Sequence, residues 1–575
     1  MSDNINFDYK NLSPFKWFVL ENFPFIEADF DALTEWQLFC KIGKEINKII
    51  DSQNIVGEQA ENLTNAFNNL KNYVDNYFKN LDVQEEVNTK LDLMAQDGTL
   101  DRIINQEIFE NLNNQVTSNT NNIANLTNNV NVLNINTNKM NKIRKKYNNK
   151  YDFFKLPNEF NIDFFKQLNI YNNGKKFVTD LDVSIFKHKN STHTYYVSPN
   201  GSDENDGLSR NTPFSSLLYA YSHCVSGDTI ILLEGIYNRQ NAINLPNPSL
   251  KRSINIIGEG RVILTQRDSL NWVKNSLYDN VYQSNRSNIY EVIDFSNINN
   301  NSTNKLKQVS TLAKCAQTEN SFYYENNQTI YVHMFNDNIP SDENIDCALL
   351  IGDAPLKFDE QSENLKIYLE NIIVIDGYGS NLLARNYNGY TCNIFAKNCK
   401  FFNSHKTSNN QDSVCLQGAN GIFQNCICSF GGKDGFNYHA LNNIIPLGIE
   451  INCEGSYCGL ENSENDNSFN GSTAHDGSKV LRIGGIYHNN KGPNVADVQN
   501  NTASINFECI SYDSNATAGH ERSDFFATQG NSIMYLYNCY SKDSLSTEQL
   551  VALDGATIYN KNSQFDNYTG NIINL

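Results

Sequence analysis

The sequence predicts a mainly β protein: a right-handed parallel β-helix of stacked coils, preceded by an α-helical region and a coiled coil. Three observations carry that prediction: a strand, loop, helix, turn and strand succession at 194–238, a strand motif recurring about every 27 residues from 371 onward, and an unbroken heptad from 109 to 140. The 575 residues suffice for several domains, and 39% hydrophobic with 11% aromatic content supports a large core.

The N-terminal third reads as helix. Apolar residues recur at helical spacing from Asp31 to about Asp51 (Leu33, Trp36, Phe39, Cys40, Ile46, Ile49, Ile50) and again from Glu58 to Phe78. Asp82 with Glu85 forms an aspartate variant of the capping box, opening a helix that closes at Asp97-Gly98. This helical material holds no catalytic constellation.

The heptad follows. Phe109, Leu112, Val116, Asn119, Ile123, Leu126, Val130, Leu133, Thr137 and Met140 alternate spacings of three and four, with Val116, Ile123 and Val130 at a and Leu112, Leu126 and Leu133 at d. Such a seam makes a parallel coiled coil and so an oligomer. β-Branched a residues with leucine at d lean towards two strands, yet Asn119 at d and the β-helix behind it point to a homotrimer. The polar, basic Asn141-KIRKKYNNK then marks a change of pattern. The resulting division is 1–103 helical head, 104–145 trimeric coiled coil, 146–190 linker and 191–575 β-helix.

The β-helix is expected to open with a strand at Thr194-Tyr-Tyr-Val, a Gly/Asn/Asp loop, a short helix from about 215 to 224, and Gly227-Asp228 turning into the strand TIILL. Six later segments share a register: Asn371-IIVID, Asn398-CKFFN, Asn425-CICSF, Asn452-CEGSY, Glu508-CISYD and Asn538-CYSKD, with Gly484-GIYHN a weaker seventh. Their second positions fall at 372, 399, 426 and 453, then 485, 509 and 539. One short strand per repeat at such a period is the signature of coils that bury one another's apolar faces.

That register also interprets the 13 cysteines. Cys399, Cys426, Cys453, Cys509 and Cys539 occupy one repeat position, so they should stack as small buried hydrophobes in a narrow core. The Cys426-Ile-Cys428 and Cys453…Cys458 spacings match no zinc pattern. Reduced structural thiols are expected. No charged n-region leads into an apolar stretch and no run of 18 apolar residues occurs, so neither Sec export nor membrane insertion is expected, and synthesis in a reducing cytoplasm is. A net charge of −19 argues against a nucleic-acid partner, whose phosphates need Lys/Arg clusters.

The residues also carry resemblances. The succession at 194–238 resembles the start of pectate-lyase-type β-helices, in which the helix caps the first coil. Asn11-LSPFKWFVLENFPFIEADFDALTEWQLFCKIGKEINKIIDSQN, with Leu81-DVQEEVNTKLDLMAQDGTL, resembles the virion-anchoring head of tail and appendage proteins of phages of low-GC Gram-positive bacteria. Gly432-KDGFNYH, Asn470-GSTAHDG and Lys491-GPNVADV are similar to the preneck appendage (tail spike) proteins of small podoviruses of those hosts. The resemblance implies a homotrimeric virion component that anchors through its head to tail or collar proteins, binds the host surface and cleaves wall teichoic acid. Spikes of this kind often carry a C-terminal trimerisation or self-cleaving chaperone domain; this sequence ends at Leu575, after the last coil-like segment.

Chemistry is sought where coils carry extra length. Aligned at the cysteine position, Asp412, Asp434, Asp476, Asp497, Asp524 and Asp554 fall late in each repeat. A column of carboxylates about 4.8 Å apart is costly unless cations or protons relieve it. Asp-Gly is equally the ordinary way to turn a solenoid corner. What singles the group out is its company: five of the nine histidines (His405, His439, His475, His488, His520) lie among these coils, with Arg482, Lys491 and Arg522. Two long stretches, Glu461-NSENDNSFNGSTAHDG and Ser514-NATAGHERSDFF, precede their aspartates.

The expected catalytic set is therefore Asp434, His475, Asp476, Asp497 and Asp524. His439, Arg482, His520 and Arg522 are expected to bind substrate. Paired carboxylates with histidine suit glycosidic or phosphodiester cleavage. An anionic polymer needs local positive charge, which His475, Arg482, His520 and Arg522 or a divalent cation held by the aspartates could provide; the residues establish no cofactor. Two other readings stand beside this one: a non-catalytic receptor-binding adhesin, and a lyase or glycosidase acting on capsular polysaccharide.

Overall fold

The computed structural model describes residues 152–575 except 190, 239–249, 295–304, 350–353, 406–411, 461–466 and 518. The predicted helical head and coiled coil lie outside the described residues.

From Thr194 onward the chain winds through three parallel sheets, and each full coil gives one strand to each. The first sheet has 12 strands running from Thr194–Val197 to Ile572–Asn574; the second has eight, from Gly235–Tyr237 to Ile510–Tyr512; the third has nine, from Leu356–Phe358 to Tyr568–Gly570. One coil reads Asn420–Gln424, Ile427–Ser429, Phe436–His439, and the next Leu447–Ile451, Glu454–Ser456, Ser472–Ala474. Parallel crossovers of this kind wind right-handedly. The predicted β-helix is the observed fold.

The opening follows the sequence closely. Helix Leu217–His223 is capped by Ser216, whose hydroxyl accepts from the Tyr219 amide at 3.0 Å. It buries Leu217, Ala220 and Tyr221 in the core at the end of the first coil.

The recurring motif is the turn from first to second sheet. Lys400, Ile427, Glu454, Ile486 and Ile510 pair in register along the second sheet. Two residues before each stands a left-handed residue: Asn398 (φ 54°), Asn425 (54°), Asn452 (51°), Gly484 (64°) and Glu508 (53°). Asparagine tolerates that conformation and also repays it. Asn398 donates to Asn371 Oδ1 at 3.1 Å, Asn425 to Asn398 at 3.2 Å and Asn452 to Asn425 at 3.4 Å, which builds a side-chain ladder outside the core. Inside the same turn run Cys399, Cys426, Cys453, Cys509 and Cys539, all buried and unbridged. Burial pushes the Cys399, Cys426 and Cys539 thiols far above the ordinary range, so they behave as hydrophobes.

Two regions were not legible as repeats. Residues 152–189, most of the expected linker, are folded against the first sheet. Phe160, Phe165, Leu168, Leu181 and Val183 share a core with Tyr368, Ile422, Ile449 and Leu481. Phe186 stacks on Phe395 at 4.2 Å, and the Val183 amide donates to Gln424 Oε1 at 2.9 Å. The other region departs after Val262–Thr265 and returns at Leu356–Phe358. This insertion has its own five-stranded sheet, and the helix Leu312–Gln317 lies in it. An antiparallel pair, Ile289–Asp294 with Ile345–Leu349, stands at its base. There Ile293 packs with Ile263, Ile375 and Phe402 of the β-helix.

Candidate functional site

Strand parity decides which of the selected residues meet solvent. In the third sheet Leu416, Tyr438, Ala474 and Asp497 are register partners and form one inward row. One residue further along, Arg385, Gln417 and His439 are partners in the outward row, and His475 follows Ala474 as His439 follows Tyr438. A side chain in a strand faces opposite to its neighbour.

The outward row contains the chemistry. His439 Nδ1 lies 3.1 Å from Asp476 Oδ2, with the two side chains 30% and 35% exposed. The carboxylate accepts, so the ring proton sits on Nδ1 and Nε2 is left able to take a proton. His475 stacks on His439 with centroids 3.9 Å apart and planes 8° from parallel. Both ring nitrogens of His475 are shut off from water and have no hydrogen-bond partner. Burial, helped by His439 and Lys433, holds His475 well below the ordinary histidine range, so it stays neutral. On the preceding coils Arg385 Nε donates to Gln417 Oε1 at 2.6 Å and Arg385 Nη1 reaches Asp359 Oδ2 at 3.1 Å. Arg385, Gln417, His439 and His475 thus follow one another on successive coils, spaced about 4.8 Å apart.

Asp476 also turns a corner. Its φ is 57° with Gly477 at 89°, and Asp554 (53°) with Gly555 (87°) repeats the arrangement. Asp554 Oδ2 accepts from Thr528 of the preceding coil at 3.0 Å, as Asp476 accepts from His439. The corner aspartate reaching back one coil is thus a recurring device, and at Asp476 the residue it holds is a histidine.

The six aspartates do not form one column. Asp412 and Asp434 each stand two residues before a paired strand position, Asp476 and Asp554 four after one, Asp497 lies within its strand, and Asp524 immediately precedes the paired Phe525. Asp434 is 1% exposed; its Oδ1 accepts from the Asn470 amide at 2.8 Å, while the Asp434 amide donates to Asp412 Oδ1 at 3.2 Å. These carboxyls cap the backbone of the next coil. Burial, then the neighbouring Asp412, pushes Asp434 up to about 8, and its Oδ2 is without a partner. Asp434 and His439 stand at opposite ends of one strand, five residues or roughly 16 Å apart. One bond cleavage cannot use both.

Asp497 and Arg482 belong to the interior. Both are fully buried, with Arg482 Nη1 3.8 Å from Asp497 Oδ1 and Nε 3.6 Å from Glu450 Oε1. Glu450 accepts from Tyr438 at 3.0 Å, Ser472 at 2.7 Å and Tyr487 at 2.6 Å, and Asp497 accepts from Ser504 at 2.5 Å. Burial pushes Asp497 up to about 6 against the pull of Arg482 and Ser504. The expectation that Arg482 binds substrate and Asp497 catalyses is corrected by parity: their side chains point into the coil.

Asp524 is likewise spent on the fold. It accepts from Asn494 at 3.0 Å and from Ser541 and Ser546 at 2.6 Å each, and burial still pushes it up to about 7. His520, half exposed, pairs with Glu548 at 2.6 Å. His520 and Arg522 precede the strand Ser523–Thr528, two coils beyond the His475 coil and at the opposite end of the sheet from His439, so the structure does not bring them to the histidine pair. The structure brings together His439, His475 and Asp476. Sequence reasoning missed Arg385, Gln417 and Asp359, whose signal was register with His439 on earlier, unequally long coils.

No family model matches the sequence, and no curated protein does. Among solved structures the chain is similar to a glycoside hydrolase, 9% identical over 67% of this chain and 95% of that one, with a TM-score of 0.46. A pectate lyase is 14% identical over 66% and 79%, with a TM-score of 0.30. The tailspike protein of Pseudomonas phage LKA1 is 10% identical over 66% and 78%, with a TM-score of 0.22.

Proposed function

We propose that this chain is a phage tail spike or appendage that binds a host-surface glycopolymer along the outer face of its third sheet and cleaves it, wall teichoic acid being the substrate. The observation that supports cleavage is the His439–Asp476 hydrogen bond on an outward row with neutral His475 stacked behind it. A carboxylate that fixes an imidazole tautomer is the arrangement general-base catalysis uses. His439 is the proposed catalytic residue, taking a proton at Nε2 from water or a substrate hydroxyl. Asp476 positions it. His475, its nitrogens closed off from solvent, backs the His439 ring by stacking.

Arg385 supplies positive charge on the same row for an anionic repeat unit. The teichoic-acid assignment itself rests on the similarity of the head segments and the three β-helix motifs to podovirus appendages. In the same reading, 1–103 anchors to the virion, 104–145 holds a homotrimer and the β-helices stand side by side. Ile486, Ile510 and Tyr540, 37–39% exposed at successive positions of the second sheet, favour that packing. Light scattering on the intact chain should then give three times 65.3 kDa.

Purified protein incubated with poly(glycerol phosphate)- and poly(ribitol phosphate)-bearing walls should release soluble phosphate. Reducing ends without phosphate would instead favour a capsular polysaccharide depolymerase. Wall binding with release of neither would make the protein an adhesin and remove His439 from catalysis.

A further inference from the structure

A second group of ionisable residues lies outside the outward row, where the insertion meets the β-helix. Glu291, Asp376 and His405 are buried, and each offers a ligand atom within 4.8 Å of the others. Glu291 comes from the insertion strand Ile289–Asp294, whereas Asp376 and His405 follow the second-sheet strands Ile373–Ile375 and Lys400–Phe402. Asp346, on the insertion strand paired with that of Glu291, faces the same place: its charge acts on Asp376.

Three atoms of this group have lost water without gaining a partner: Asp376 Oδ2, Asp346 Oδ1 and His405 Nε2. Buried polar atoms are nearly always satisfied, so three orphans in one cluster ask for a common partner. The remaining contacts behave as supports. Asn403 donates to Asp376 Oδ1 at 2.6 Å and also to Glu291 Oε1; Thr265 donates to Asp346 Oδ2 at 2.6 Å; Lys305 Nζ holds Glu291 Oε2 at 2.7 Å. Asp376 and Asp346 are thus each held by one oxygen with the other left, whereas both oxygens of Glu291 are engaged, Oε1 by Asn403 and Oε2 by Lys305.

We propose that Glu291, Asp376 and His405 form a structural site for one divalent transition cation, Zn²⁺ or Mn²⁺ in kind, that clamps the insertion to the β-helix, with Asp346 as neighbouring carboxylate. Imidazole among carboxylates suits such ions better than Ca²⁺ or Mg²⁺, which prefer oxygen alone. The ligands' burial, with His405 and Glu291 side chains 1% and 10% exposed, closes the site to substrate, which makes it structural. The site does not depend on the cleavage reading; either can fail alone.

The full chain, dialysed against chelator and then against Zn²⁺ or Mn²⁺, should retain one ion per chain through gel filtration by elemental analysis. Hydrogen exchange in 289–294 and 345–349 should slow at least tenfold on reloading. His405→Ala should lose the ion. Asp376→Asn, which removes a buried carboxylate while keeping its shape, should fold and also lose it. Less than a tenth of an ion per wild-type chain, or unchanged stoichiometry in folded Asp376→Asn, overturns the proposal, since retention would then come from elsewhere.

Discussion

Tyr438 and His439 are adjacent in sequence and opposite in fate. Tyr438 points inward to Glu450, in a set completed by Arg482 and Asp497 that is wholly buried. His439 points outward to Asp476 and His475, where about a third of its side chain meets solvent. Both groups mix acids and bases in the same few coils. The inner one is closed off from solvent with its acids facing Arg482, so it fixes the coil; the outer one is partly exposed at His439 and Asp476, so it can act on something else. Composition cannot tell them apart, because the difference is one residue of strand parity.

The comparison breaks most visibly from the inside. Arg482→Met leaves Glu450 and Asp497 buried without a cation and should cost about 3–5 kcal/mol, read as a lower urea midpoint. A loss under about 1 kcal/mol would mean that the inner set is wetter than its burial indicates. From the outside, His439→Ala should reduce polymer cleavage by about 10²–10⁴-fold while the melting temperature holds. An unchanged rate with a lowered melting temperature would reassign His439 to the fold. Asp476→Asn keeps the left-handed corner but weakens its hold on the His439 tautomer. The cleavage rate should fall by about tenfold or more, and wall binding should persist.

Titration sharpens the contrast further. Asp434 is raised from the usual 3.8 to about 8, so between those values the unfolded chain gives up its proton first. Its contribution is complete below pH 3.8 and is lost as pH rises towards about 8, with a slope of at most about 1.4 kcal/mol per pH unit. Asp434→Asn should flatten that limb, measured as unfolding free energy from pH 5 to pH 8. His475 works in the opposite sense, since its lowered value costs stability as pH falls below about 6.5. The smallest effect belongs to the asparagine ladder: Asn425→Ala, with φ 54°, should cost about 1–2 kcal/mol. An equal loss from Asn425→Gly would show that the side-chain bonds, not the backbone, matter there.

Much of the fold was legible because a solenoid repeats its physics locally. The Asn-Cys pair names a left-handed turn and the small core position beneath it, and the strand, loop, helix, turn and strand succession at 194–238 names the opening of the first coil. The insertion was not legible: its antiparallel strands pair within themselves and carry no period. Nor was the packing of 152–189, since Phe160 and Val183 gain their meaning only from Ile449 and Gln424 far along the chain. In the site, His439, His475 and Asp476 were legible as candidates, whereas aligning coils of unequal length at the cysteine rather than at the third-sheet strand misplaces Asp497, and Arg482 is carried inward by its own first-sheet strand Lys479–Ile483. Aligning on Val414, Phe436, Ser472 and Val495 would have put Asp497 beside Tyr438, inside.

The twelve described cysteines, all buried and unbridged, have one more consequence. A thiol reagent can reach them only when the coil around them opens, and stacked coils open with their neighbours. Each cysteine is therefore a built-in clock for its own coil. The order in which Cys224, Cys399, Cys426, Cys453, Cys509 and Cys539 become labelled would time the fraying of the solenoid from its ends inward, with no probe added to the protein.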